Sequence, residues 1–174
     1  MSNQLVLTVI ADDRPGLVDA LAETLVRHGG NWLESALARL GGKFAGILLI
    51  EVAGDRQALL EEDLAAMAAR GIDVSVAPAG TAGVGNGEQL ALTVVGNDRR
   101  GIVGEISRIL ARCNVNVDEL FTATENAPMS GERLFRAQAR VMLPPDLGAE
   151  DLRVLLEDLS DDLVVELETP DEHG

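Results

Sequence analysis

The chain has 174 residues, 47% hydrophobic and 25% charged, with a mean hydropathy of +0.14; this is the balance of a packed globular protein and excludes a disordered one. Fourteen Lys and Arg against 29 Asp and Glu leave a net charge of −15, and aromatics are 2% of the chain, so neither a phosphate-binding nor a base-stacking surface is expected. No apolar run approaches the roughly 20 residues that a membrane span needs.

In chain order, Leu5 to Ala11 is rich in Val, Leu and Ile and bounded by polar residues, which predicts a strand buried on both faces. Pro15 fits the first turn of a helix, where its missing N–H costs nothing. Leu17, Leu21 and Leu25 form an apolar stripe that Val18 widens, and His28, Gly29 and Gly30 end that helix. Two strands, Trp32 to Arg39 and Phe44 to Val52, flank the hairpin signal Gly41-Gly42. A second helix over Arg56 to Arg70 sets Leu59, Leu60, Leu64 and Met67 on one side, and Ile72 to Ala77 is a last strand.

The order then repeats. Residues 5–34 align without gaps on 90–119 at an offset of about 85, with about a dozen identities where average composition gives about two by chance. The matches include Leu7/Leu92, Thr8/Thr93, Asp13/Asp98, Arg14/Arg99, Gly16/Gly101, Asn31/Asn116 and Glu34/Glu119. The second copy predicts a strand at Leu90–Val95, a helix at Gly101–Arg112 and strands at Val117–Thr124 and Leu134–Leu143. A helix at Glu150–Leu159 and a strand at Leu163–Leu167 complete it. Between the copies the chain from Ala79 to Gly87 is Gly-rich with nothing large to bury, so domains at 1–79 and 89–174 joined by a flexible linker at 80–88 are expected. The fold class is α+β: βαββαβ twice, each a ferredoxin-like antiparallel four-stranded sheet with two helices on one face.

Other conspicuous residues read blandly. His28 reads as a cation at a helix C-terminus, Trp32 as core or interface and Cys113 as a small apolar group, while His173 falls in a frayed tail. The acidic stretch Asp146–Glu172 reads as a solvated surface or a face for a basic partner. One cysteine allows no internal disulfide, and the opening MSNQLVLTVIADD has no basic stretch or cleavage site; both lead to the expectation of a cytoplasmic protein. No spacing suits a metal and no phosphate loop is present, so no cofactor is expected.

The strand ending Asp12-Asp13-Arg14-Pro15-Gly16-Leu17-Val18, with an Asn opening the next strand about fifteen residues after the glycine, resembles the ACT domain. That family's module binds amino acids and regulates a partner, and the resemblance covers both copies. Two such modules, with the loop Ala127-Pro128-Met129-Ser130-Gly131 before Leu134-Phe135, resemble the glycine cleavage system transcriptional repressor family. The resemblance implies a non-catalytic, amino-acid-responsive regulator, with glycine as the ligand, that restrains a transcription activator through protein contact. The implied binding residues are Asp12, Asp13, Gly16, Leu17 and Asn31 in the first copy and Asn97, Asp98, Gly101, Ile102 and Asn116 in the second.

Physical chemistry gives these residues roles. The helix start at Gly16 presents unpaired N–H groups to a carboxylate, and a glycine allows close approach. By family analogy Asn31 and Asn116 lie beside that turn, and Asp12 or Asp13 would hold the ammonium group. In the family the ligand sits between two domains, within one chain or across a homodimer. The copies differ: Asn97-Asp98 replaces Asp12-Asp13, and Arg100 replaces Pro15. Two further readings stand beside this one, a regulatory subunit of a metabolic enzyme and an acylphosphatase-like enzyme using Arg14 with Asn31 or Arg99 with Asn116. The second lacks the glycine-rich cradle that a phosphate needs.

Overall fold

The computed structural model describes residues 1–170 except 82 and 84. The chain divides into two compact units, Met1–Ala82 and Gly83–Gly174. Residues 82 and 84 of the expected linker, Asp171 and Glu172 of the acidic stretch, and His173 lie outside the described residues.

The first unit runs β1 (Ser2–Asp12), α1 (Leu17–Arg27), β2 (Asn31–Leu40), β3 (Lys43–Ala53), α2 (Gly54–Ala66) with a 3-10 turn at Met67–Arg70, and β4 (Ile72–Pro78). The second runs β5 (Glu88–Asn97), α3 (Ile102–Arg112), β6 (Asn116–Asn126), β7 (Arg133–Leu143), α4 (Ala149–Glu157) and β8 (Val164–Glu168). The sheets have the same order, β2-β3-β1-β4 and β6-β7-β5-β8, with every pair antiparallel. Both units are therefore ferredoxin-like α+β folds.

Each unit has its own core. In the first, Leu5, Leu7, Val9, Leu48 and Ile50 meet Leu21, Leu25, Leu60 and Leu64 from the helices. In the second, Leu92, Val94 and Val141 meet Ile106, Leu110, Leu152 and Leu156. The repeat extends to irregular features. A bulge interrupts β2 between Trp32 and Glu34 and β6 between Val117 and Glu119. After the first helix of each unit the left-handed residue is Gly29 in one and Asn114 in the other, both residue types that tolerate positive φ there.

Three expectations are corrected. β1 is buried on one face only, since the helices cover one side of the sheet; Ile10 is 45% exposed. Val18 and Leu59 do not belong to their buried stripes and are 47% and 53% exposed. On α1 the stripe widens on its other flank through Ala20 and Thr24, whose hydroxyl donates to the Ala20 carbonyl at 2.9 Å. Pro15 lies outside its helix, which starts at Leu17 after Gly16 at φ 89. Gly101 repeats that conformation at φ 88, and a side chain is strained in it.

Candidate functional site

At the end of β1 the Asp13 N–H donates to the Gly42 carbonyl at 3.0 Å, and the Asp13 carboxylate lies 3.3 Å from the Arg39 guanidinium. Asp12 pairs with Lys43, whose hydrogen bond and charge hold its carboxyl below the ordinary carboxylate range. Both acids thus face the β2–β3 hairpin, where they already have cations. The chain then turns away through Arg14, Pro15 and Gly16. The Arg14 guanidinium donates to the backbone carbonyl of Arg70, reaching across the start of α1 to the end of the 3-10 turn.

Beneath that reach lies a cleft of about 440 Å³ lined by Arg14, Gly16, Leu17, Asp19, Glu23 and Arg70, among others. Two guanidinium groups and the N-terminal N–H groups of α1 offer positive potential, and Asp19 and Glu23, one helical turn apart, offer negative potential. That lining suits a small zwitterion: a carboxylate at the helix start and an ammonium group toward the acids. Leu17 is itself buried, so it shapes the floor with its backbone and not with a reaching side chain.

The second unit holds the same turn differently. The Asn97 N–H donates to the Asp162 carboxylate at 2.6 Å, the Asp98 N–H donates to the Arg133 carbonyl at 2.8 Å, and Ile102 is buried like Leu17. Arg99 forms a two-pronged ion pair with Glu105, at 2.8 and 2.6 Å. The pairing raises the Arg99 pKa and lowers that of Glu105. A Ser160 hydrogen bond and the Asn97 N–H likewise lower the Asp162 carboxyl.

Asn31 and Asn116 are not beside these turns within their own units, which corrects the expectation taken from family analogy. Asn31 stands opposite Glu51, which stands opposite Gln4, whereas Asp12 stands opposite Lys43. Gln4 and Asp12 are eight residues apart along β1, about 26 Å at roughly 3.3 Å per residue. Asn116 is placed alike, opposite Met142 and thus level with Gln89 at the far end of β5 from Asn97, and it donates to Asp118 at 2.7 Å. The cause is the helix: α1 or α3 carries the chain back along the sheet before the next strand begins. The same separation parts Arg14 from Asn31 and Arg99 from Asn116, so neither arginine–asparagine pair is assembled within a unit.

Asp19, Glu23 and Arg70 line the cleft although sequence reading did not select them. The i, i+4 spacing of Asp19 and Glu23 was a usable signal; nothing local marks Arg70, which only the packing of the 3-10 turn brings close. His28 caps α1 and its Nε2 lies 2.8 Å from Asp63, whose carboxyl that hydrogen bond lowers. Trp32 is half-buried against the first core, and Cys113 against the second. Among the described residues no group of acidic, His or Cys side chains is placed to hold a metal, and no helix is long and apolar enough to cross a membrane.

Residues 3–76 match the family model of the ACT domain. The first unit is an ACT domain. The second repeats that fold in element order, sheet order and bulge, so the chain is a tandem of the ACT fold. Over its whole length this tandem resembles a protein of unknown role from Galdieria sulphuraria, with a TM-score of 0.81 and 29% identity over 98% of this chain and 99% of that one. It also shares its fold with a protein provisionally named a glycine cleavage system transcriptional repressor, with a TM-score of 0.70 and 14% identity over 98% of this chain and 99% of that one. No curated protein matches the sequence.

Proposed function

We propose that this ACT tandem is a non-catalytic regulator that senses a small amino acid, with glycine as the first candidate, and acts by binding a protein partner. The partner in this reading is a transcription activator of the glycine cleavage genes, which the protein restrains. The observation behind the ligand is the cleft at Gly16, where two arginines and a helix start face two carboxylates. Behind the partner stands the provisional name of the full-length structural relative. The charge of −15 favours a route through protein contact over one through DNA.

Thermal melts with each amino acid test the ligand. A ligand that binds only the folded protein stabilises it by about 2.7 kcal/mol at one hundred times its Kd. Glycine is expected to raise the melting temperature where larger amino acids do not, and Arg14→Met to abolish that shift. Asn31→Ala is expected to leave the shift intact, because Asn31 lies about 26 Å along the sheet from the turn. A shift that survives Arg14→Met but is lost in Asn31→Ala would move the ligand away from the cleft. Affinity capture tests the partner: an activator supports the reading, and a metabolic enzyme as the main partner replaces it with an enzyme-regulating subunit.

A further inference from the structure

Resting on the reading that the Gly16 end of α1 takes an amino acid, we infer that Glu105 closes the second unit to that ligand. Its carboxylate occupies Arg99 as a ligand's carboxylate would occupy Arg14, and the chain takes one ligand. The two repeats serve as each other's control. Arg14 and Arg99 precede the same left-handed glycine, at φ 89 and 88. In the first unit the residue one helical turn on is Ala20, and Arg14 donates to an uncharged acceptor, the Arg70 carbonyl. Among the described residues Arg14 forms no ion pair; the acid that feels its charge, Asp12, is already paired with Lys43.

In the second unit Glu105 stands where Ala20 does. Both of its oxygens meet both terminal nitrogens of Arg99, at 2.6 and 2.8 Å, the fork-on-fork geometry by which arginine recognises a free carboxylate. The pair is about two-thirds covered on each side. The neighbours have changed too. Gly104 replaces Asp19 and Arg108 replaces Glu23, so the acids that sheet register brings to this turn for an ammonium group are Asp161 and Asp162. By sheet register Leu163 stands for Ile72, which puts Asp161 in the place of Arg70 and Asp162 beside Arg99. The second arginine is thereby satisfied by acids of its own chain. A carboxylate tethered one turn away outcompetes a free metabolite, because its local concentration is far higher.

Calorimetric titration of the full chain with glycine tests this. The wild type is expected to bind one glycine per chain. Glu105→Ala, which restores the alanine of the first repeat at a helical position, is expected to bind two, and Glu105→Gln, which keeps the side chain's size, to gain the same second event. Arg14→Met should lose the only event, and the double variant Arg14→Met/Glu105→Ala should retain one. Two glycines on the wild type, or one on both Glu105 variants, would overturn the inference. An unchanged single event in Arg14→Met, or no binding by any form, would instead remove the Gly16 reading and the inference with it.

Discussion

Glu105 shows how one residue sets the character of a turn. Arg99 holds its carboxyl below the ordinary glutamate value, first through the hydrogen bond and then through charge. A carboxyl whose pKa is depressed on folding adds stability that is complete above its unfolded value, about 4.3, and is lost as the pH falls through the depressed one. The melting-temperature difference between the wild type and Glu105→Gln should therefore be largest above about pH 5 and shrink on acidification below about pH 4. A difference that widened in acid would contradict the pairing. The ion pair of Asp12 with Lys43 is mostly exposed, a setting in which ion pairs contribute little.

At the scale of elements, repeated scaffolds carry unequal cores. Trp32, Leu37 and Leu48 fill the space between α1, β2 and β3, and their counterparts are Val117, Thr122 and Ala139. The smaller set leaves a partly open apolar groove of about 50 Å³ beside α3, bordered by Ile106, Leu110, Val117, Leu120 and Ala139. Ala139→Leu, which copies Leu48, should fill it and raise the stability of the second unit by about 1 kcal/mol, read as a higher melting temperature. A lower melting temperature would show that β6 cannot give way.

Elements were also the scale at which the sequence was most readable. Periodic apolar stripes, the Gly41-Gly42 hairpin and the repeated stretch predict, within a few residues, the eight strands and four α-helices of the described residues. The face of each strand was harder. Ile10 is apolar yet open to solvent, because hydrophobicity alone does not say that helices cover only one side of a sheet. The site was half legible. Asp13, Arg14 and Gly16 stood out as one turn, whereas Asn31 was assigned to it by analogy, and only strand register reveals the length of sheet between them. Arg70 enters through a contact 56 residues away in sequence, which no local pattern encodes.

For the whole molecule, duplication and charge set the terms of function. A chain at −15 carries a field that disfavours polyanions and attracts cationic groups. Among the described residues the two cores share no buried residue. Leu152→Ala, which empties a fully buried position of the second core, is expected to cost that unit about 2–5 kcal/mol. Scanning calorimetry should then show an early transition followed by one at the first unit's own temperature, with the glycine shift confined to the later one. A single merged transition would mean that the halves melt together.

Separate cores also divide the risk of mutation. A damaging change in one half leaves the other's core contacts unaltered, so one copy can drift toward new contacts while its twin keeps its packing.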